Sequence, residues 1–241
     1  GEYGGTFRHV IGGRPEGFNW LAGQSQGWGG INIQLMESLT RLGPLWQVKA
    51  EEANPLPNLA KDWEFSSDRK SLTMYILEGA RWSDGDIFDT EDIDFWWNDN
   101  VQDANVNSRL PKDALGAGTT LEILGPYSFK FNFDEPKGNA VLAQLAYMGG
   151  APGPSHVMKP LHPAYNSDAT YESYANGMPA SVLPIVTMGA FVPVVHKVDE
   201  LMVMKRNPYY WKVDEECNQL PYYNETIYKL TSWDDRTTQA L

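Results

Sequence analysis

The sequence predicts an α+β fold in which short strands are joined by brief helices. Three observations carry that reading. Side chains alternate in character with a period of two at residues 71–77 and 127–133, the mark of half-buried strands. Helical spacing of apolar residues occurs only in short stretches, as with Ile93, Trp96, Trp97 and Val101. The longest apolar runs, such as 181–186, are short and broken by Pro, Gly or charge. Hydrophobic residues at 42% and charged residues at 21% are ordinary globular usage, which excludes a disordered or fibrous chain. At 241 residues the length suits one large domain or two small ones.

Element by element, Gly5 to Gly12 alternates and ends at Gly-Gly, so it reads as a strand. Arg14 to Gly30 contains Pro15 and five glycines and reads as a long loop, a kind of segment that usually carries function. Ile31, Leu35, Met36 and Leu39 share one face of a helix expected over 31–39 and stopped by Gly43-Pro44. From Pro57 the signals turn to strand, with Trp63-Glu64-Phe65, a turn at 66–69, and Leu72, Met74 and Ile76 on one face of 71–77. Asp84-Gly85 marks a tight turn. Thr90 is the expected N-cap of a helix over about 91–101, with Glu91, Asp92 and Asp94 where the helix dipole favours negative charge. Residues 121–124 and 127–133 flank Gly125-Pro126 as a hairpin, with Phe129, Phe131 and Phe133 on one face. A short helix is expected over 140–148, and only helical fragments near 170–175 within the Pro-, Gly- and Tyr-rich stretch 149–187. Strands over 190–195, 201–205 and 226–230 complete the chain.

Charge and motif content exclude several functions. Nineteen Lys+Arg against 31 Asp+Glu leave a net charge of −12, and no basic cluster exceeds Lys205-Arg206. Neither nucleic acid nor an anionic membrane surface is an expected partner. No apolar run approaches the roughly 18 residues of a membrane-spanning helix, so direct membrane insertion is not expected. The single cysteine, Cys217, permits neither an internal disulfide nor a Cys-based zinc site. Gly1-Glu2-Tyr3-Gly4-Gly5 lacks a basic region followed by an apolar one, so either the protein is cytosolic or an export segment has been removed. His9, His156, His162 and His196 form no helical metal pair and read as core or surface residues. Phosphate-cradling and Gly-x-Ser-x-Gly motifs do not occur. Asp84, Asp86, Asp89, Glu91 and Asp92 fit a turn and helix cap better than a calcium loop, whose glycine falls sixth. With 31 Asp+Glu a carboxylate pair of the glycosidase kind is always available, so that chemistry stays open, while no metal or cofactor site is expected. Aromatic residues are 12% of the chain. Most read as core, but Trp28, within Gln24-Ser25-Gln26-Gly27-Trp28-Gly29-Gly30, has little to bury it and suits a ligand cleft.

Several blocks act together. Leu59-Ala60-Lys61-Asp62-Trp63 is followed by Trp82-Ser83-Asp84-Gly85 with an acidic helix start, then by Arg206-Asn207-Pro208-Tyr209-Tyr210-Trp211 and Leu220-Pro221-Tyr222. In this order the blocks resemble extracellular solute-binding protein family 5, the peptide- and oligosaccharide-capturing subunits of ABC importers. Gly5-Thr6-Phe7-Arg8 and Met36-Glu37-Ser38-Leu39 resemble the family's first strand and helix. The blocks themselves read as scaffold. Two departures are Cys217, where the family usually has Gly, and Asn224, where Asp is common; the first leaves Asn218 as the residue expected to take a left-handed turn.

The resemblance implies a mixed-sheet, periplasmic-binding-protein-like type II lobe carrying an inserted β-rich subdomain. The lobe would comprise residues 1–49 plus 188–241 and the insert 50–187, with the chain ending before the second lobe. It further implies reversible capture between hinged lobes, without bond chemistry, and delivery to an ABC permease from a periplasmic or extracellular, or lipid-anchored, position. Peptides are expected ahead of oligosaccharides as ligand, and a carbohydrate-active enzyme is the competing class. Ligand-binding candidates are Gln24, Gln26 and Trp28 in the Gly-rich loop, Asn105, Asn107 and Arg109 after the Trp96-Trp97 helix, and Trp233 and Asp234 where the chain would cross to the second lobe.

Overall fold

The alternating segment at the start forms β1 (Thr6–Ile11). A computed structural model describes residues 1–13, 15–22, 31, 34–43, 54–146, 148–231 and 235. Over residues 35–39 the expected helix is absent. Gln34 N–H donates to the Ile31 carbonyl in a turn, and beyond it the backbone bonds distant segments: Gly189 N–H to the Leu35 carbonyl and Leu39 N–H to the Gly150 carbonyl. Ile31, Leu35, Met36 and Leu39 are all buried, as their spacing implied. They are covered by packing from several sides, so the spacing marks burial without requiring a helix.

β2 (Thr40–Leu42) pairs antiparallel with β3 (Pro55–Pro57) as a small ribbon. β4 (Ala60–Phe65) and β5 (Ser71–Ile76) follow as expected, and Leu72, Met74 and Ile76 are fully buried. α1 (Thr90–Asp94) continues into a π-helical stretch, Phe95–Val101. The N-cap is Asp89 rather than Thr90. Asp89 has the extended backbone a cap needs, and its carboxylate accepts from Glu91 N–H within a capping box closed by Asp92. Thr90 already lies inside the helix, and its hydroxyl donates to the Gly125 carbonyl. The wide π turn is fixed by a side chain: Asn100 Nδ2 donates 3.0 Å to the Phe95 carbonyl five residues back.

β6 (Thr120–Gly125) and β7 (Ser128–Asn132) form the expected hairpin, and the sheet order is β4-β5-β7-β6, antiparallel throughout. Its inner face meets the helix: the Trp97 and Phe131 rings lie edge to face at 4.8 Å, and Phe129 packs on Phe131 at 5.4 Å. Each such side chain taken from water contributes about 1.5–3 kcal/mol. α2 (Ala140–Gln144), α3 (Ser155–Met158) and α4 (Tyr171–Ala175) are short, and of these α3 had no clear periodicity to reveal it.

β8 (Phe191–Lys197), β9 (Leu201–Arg206) and β10 (Glu225–Leu230) join β1 in a second sheet of order β1-β10-β9-β8. β1 runs parallel to β10 and the other pairs are antiparallel, so the sheet is mixed. Asp92 ties the start of α1 to the turn at Trp82 and to the start of α3. Its buried carboxylate accepts from Trp82 Nε1 at 2.9 Å and from Ser155 N–H at 2.8 Å. Burial pushes this carboxyl above its ordinary pKa, against the opposing pull of those bonds. In the turn before Leu220-Pro221, Cys217 itself takes the left-handed conformation at φ 63°, not Asn218. The Asp214 carboxylate receives both the backbone N–H and the side-chain amide of Asn218, which holds Asn218 inside the turn and leaves the reversal to its neighbour. No helix among the described residues is long and apolar enough to cross a membrane.

Candidate functional site

β1 and β10 end side by side, with Ile11 paired to Leu230 and Thr231 N–H donating 3.0 Å to the Ile11 carbonyl. Ligands in open sheets gather beyond the carboxyl ends of parallel strands. The stretches that follow these two ends in sequence carry Gln24, Gln26 and Trp28 after β1, and Trp233 and Asp234 after β10. All five of these candidates lie outside the described residues.

The third candidate segment is described. Asn105 and Asn107 line a pocket of about 240 Å³ together with Ala22, Val106, Tyr171, Glu172, Tyr174 and Ala175. Ala22 is the last described residue before the Gly-rich stretch 23–30, so the described end of the 14–30 loop reaches this pocket. Arg109 does not line the pocket. It is half-buried where Gly149 packs against its backbone, and burial lowers the pKa of its guanidinium. Asn107 is exposed, and its amide makes no hydrogen bond among the described residues; Asn105 donates 2.9 Å to Asp103 and keeps its oxygen for other partners.

A polar framework fixes the pocket wall. α4 starts at Thr170, whose hydroxyl accepts from Ser173 N–H in a capping box. The tyrosines around it reach back to the π-helical stretch and the turn after it: Tyr165 to Asp99 and Tyr171 to Asp103, each at 2.7 Å, and Tyr174 to Asn100. Burial alone would raise the Asp103 carboxyl, but the Tyr171 hydroxyl and the amides of Asn105 bring its pKa below the ordinary value. Burial, with Asp99 beside it, pushes Tyr165 up to about 12. Asn19 completes the wall. Its Nδ2 donates 2.6 Å to the Tyr174 carbonyl while its Oδ1 accepts from Leu21 and Ala22 N–H, clamping the entry of the Gly-rich stretch to α4.

Sequence reasoning missed Asn19, Tyr171, Glu172 and Tyr174. A helical fragment near 170–175 was legible, but nothing in the chain's pattern paired it with residues 99–107. His162 is also central: fully buried, it lies among Phe95, Tyr165, Tyr171 and Tyr174. The other described cluster of acids and histidine is scaffold. His156 bridges Asp84 at 2.8 Å and Asp86 at 3.1 Å and pins the Trp82 turn to α3. No group of three His, Cys, Asp or Glu that could hold a metal occurs among the described residues.

A larger opening of about 450 Å³ is lined by Arg41, Pro57 and Asn58 at the β2–β3 ribbon and by Trp211, Lys212, Val213 and Leu220 between β9 and β10. Beneath it Glu37 receives two bonds from Lys212 Nζ and one each from Tyr210 Oη and Asn58 Nδ2.

Residues 54–241 match the family model of bacterial extracellular solute-binding proteins, family 5 Middle. The chain belongs to that family. Over 244 residues it is 52% identical to the periplasmic alpha-galactoside-binding protein of Rhizobium meliloti, a match covering 100% of this chain and 35% of that protein. The periplasmic binding protein MelB of Agrobacterium fabrum C58, solved in complex with stachyose, is 50% identical and superposes with a TM-score of 0.94 over 100% of this chain and 36% of its own. The dipeptide-binding protein DppE of Bacillus subtilis is 35% identical over 83 residues, 34% of this chain and 13% of its own length. The chain thus spans little more than a third of the length of these two relatives, the α-galactoside-binding protein and MelB (35% and 36%). Its mixed sheet and accompanying antiparallel sheet have the fold of part of a periplasmic binding protein.

Proposed function

We propose that this chain forms part of the substrate-binding component of an ABC importer that captures oligosaccharides of the α-galactoside class. The observation that carries this reading is identity of 52% and 50%, along the whole chain, to a protein named for α-galactosides and to one solved with stachyose. It reverses the order of ligands expected from the sequence, where peptides stood first. Peptide-binding relatives stand further off: DppE is 35% identical over 34% of the chain, and the oligopeptide-binding protein OppA of Haemophilus influenzae 22% identical over 86%.

The pocket's chemistry agrees with a neutral, hydroxyl-rich ligand. The Asn107 amide can donate and accept, the Asn105 oxygen and the Glu172 carboxylate can accept hydroxyl protons, and Tyr171 offers a ring edge. Gln24, Gln26, Trp28, Trp233 and Asp234 are assigned to the same ligand from the cleft side, and Arg109 supports the wall beside Gly149. The lobe is taken as 1–49 plus 188–241 and its insert as 50–187. Capture is reversible: a ligand bridging two lobes favours closure by its greater affinity for the closed state. The protein acts in the periplasm, hands its cargo to a membrane permease and performs no reaction.

Calorimetric titration of the natural protein carrying this chain tests the assignment. Stachyose and raffinose are expected to bind and to be recovered unchanged, while di- to pentapeptides give no heat. Peptide binding without sugar binding restores the original order, and hydrolysis of the sugar removes the transport reading.

A further inference from the structure

The pocket wall turns on one imidazole. His162 is fully buried, with ring centroids of Tyr174 at 4.5 Å, Tyr171 at 5.7 Å, Phe95 at 5.9 Å and Tyr165 at 6.2 Å, all edge to face or nearly so. Its Nδ1 accepts from Ala164 N–H at 3.1 Å, so in the neutral ring the proton sits on Nε2. Nε2 is buried with no hydrogen-bond partner among the described residues, and the Asp99 carbonyl is the backbone group that acts on the ring. Two of those rings, Tyr171 and Tyr174, line the pocket, and their hydroxyls are bonded to Asp103 and Asn100 on the segment that presents Asn105 and Asn107. One residue therefore touches the supports of both pocket walls.

We propose that the neutral imidazole of His162 is a positioning residue that sets Tyr171 and Tyr174 against Asn105 and Asn107, and that protonating it loosens the wall and weakens ligand binding. The ligand half of this statement rests on the α-galactoside reading above. A second ring proton would face the Ala164 N–H across the existing 3.1 Å, replacing an acceptor by a donor in the turn that begins at His162. That turn also depends on the His162 carbonyl, which accepts from Tyr165 and Asn166 N–H.

The groups facing the ring pull in opposite directions. Burial disfavours the imidazolium most strongly, while the Asp99 and Asp103 carboxylates and the Asp99 carbonyl favour it, and the net effect holds the pKa of His162 below its ordinary value. Phe95 carries no charge. Tyr165, Tyr171 and Tyr174 are all pushed above the ordinary tyrosine value, so they remain neutral throughout the relevant range. Lys159, a cation, lies 5.6 Å over the Tyr165 ring. Because the native state prefers the neutral ring, the wall is intact above the free histidine pKa and weakens as pH falls through and below it.

Backbone amide exchange of residues 171–176, corrected for intrinsic rates, reads the wall directly without ligand. Stachyose titration between pH 7.5 and 5 reads its consequence. In the wild type, exchange is expected to rise as pH falls while affinity drops about tenfold, a difference of about 1.4 kcal/mol in ligand binding between the two protonation states of the wall. His162→Asn, which keeps a short acceptor for the Ala164 N–H, and His162→Phe, which fills the ring's space, are both expected to flatten the two profiles. Variants that keep the wild-type pH dependence, or wild-type exchange independent of pH, overturn the proposal. Absence of stachyose binding at pH 7.5 counts against the sugar reading alone, and the exchange arm still decides the role of His162. If neither variant folds, the wild-type imidazole followed by NMR decides: its titration must coincide with the rise in exchange, and a titration outside that range refutes it.

Discussion

The β4–β7 sheet with its covering helix, and the pocket wall built from residues 99–107 and 162–175, are assembled by different forces. The first is apolar: Trp97, Phe129, Phe131, Leu72, Met74 and Ile76 are all buried, and their rings interlock at 4.8–5.4 Å. The second is held by directed polar bonds, three tyrosine hydroxyls on two aspartates and an asparagine, with a buried histidine among the rings. Apolar packing resists deformation over a broad surface. A bonded wall is set by a few geometries and shifts when one of them changes, which suits a surface that must meet a ligand.

Substitutions separate the two. Phe131→Ala is expected to have the largest effect, a loss of about 3–5 kcal/mol in unfolding free energy from a buried aromatic, seen as a lower urea midpoint at constant slope. Sugar affinity of the folded fraction should not change; if it does, the sheet and the wall are coupled and the contrast fails.

Asp92→Ala leaves the Trp82 indole N–H and the Ser155 N–H buried without an acceptor and is expected to cost about 3 kcal/mol. Asp92→Asn sharpens the point through pH. Burial raises the folded carboxyl above its unfolded value, so the native state takes up a proton first and the wild type gains stability from Asp92 as pH falls through that window. The deficit of Asp92→Asn relative to wild type should therefore widen on acidification, and a deficit that narrows would show that the carboxyl is not raised.

Tyr174→Phe removes the hydroxyl bonded to Asn100 and is expected to cost about 1–2 kcal/mol, with sugar affinity falling alongside, the reverse of the Phe131→Ala pattern. Asn107→Ala has the smallest effect on folding, within about 0.5 kcal/mol for an exposed side chain. It should weaken stachyose binding about fivefold, the worth of one net hydrogen bond of about 1 kcal/mol. Unchanged affinity would remove Asn107 from the site.

The two regions also differ in how far the sequence reveals them. Phe129, Phe131 and Phe133 alternate with polar residues, and that period is a property of the neighbouring chain, so the strand and its buried face were both readable. The helix expected over 31–39 shows the limit of the same logic. Its spacing correctly marked buried residues, but the conformation was decided by backbone bonds to Gly150 and Gly189, which no local pattern reports. Asn105 and Asn107 were chosen because polar residues clustered after an aromatic helix, and they line the small pocket; Arg109, chosen on the same grounds, packs beside Gly149 instead.

By itself the sequence determined the class of fold, the strands with a clear period, the family blocks and the absence of basic, metal-binding and nucleophilic motifs, because each of these is written in residues close together along the chain. Tertiary structure alone decided the pocket wall. Tyr171 meets Asp103, Tyr174 meets Asn100 and Asn19 meets the Tyr174 carbonyl across separations of 68, 74 and 155 residues. Hydrogen bonds are short-ranged and directional, so which distant groups they join depends on where the packed elements finally lie.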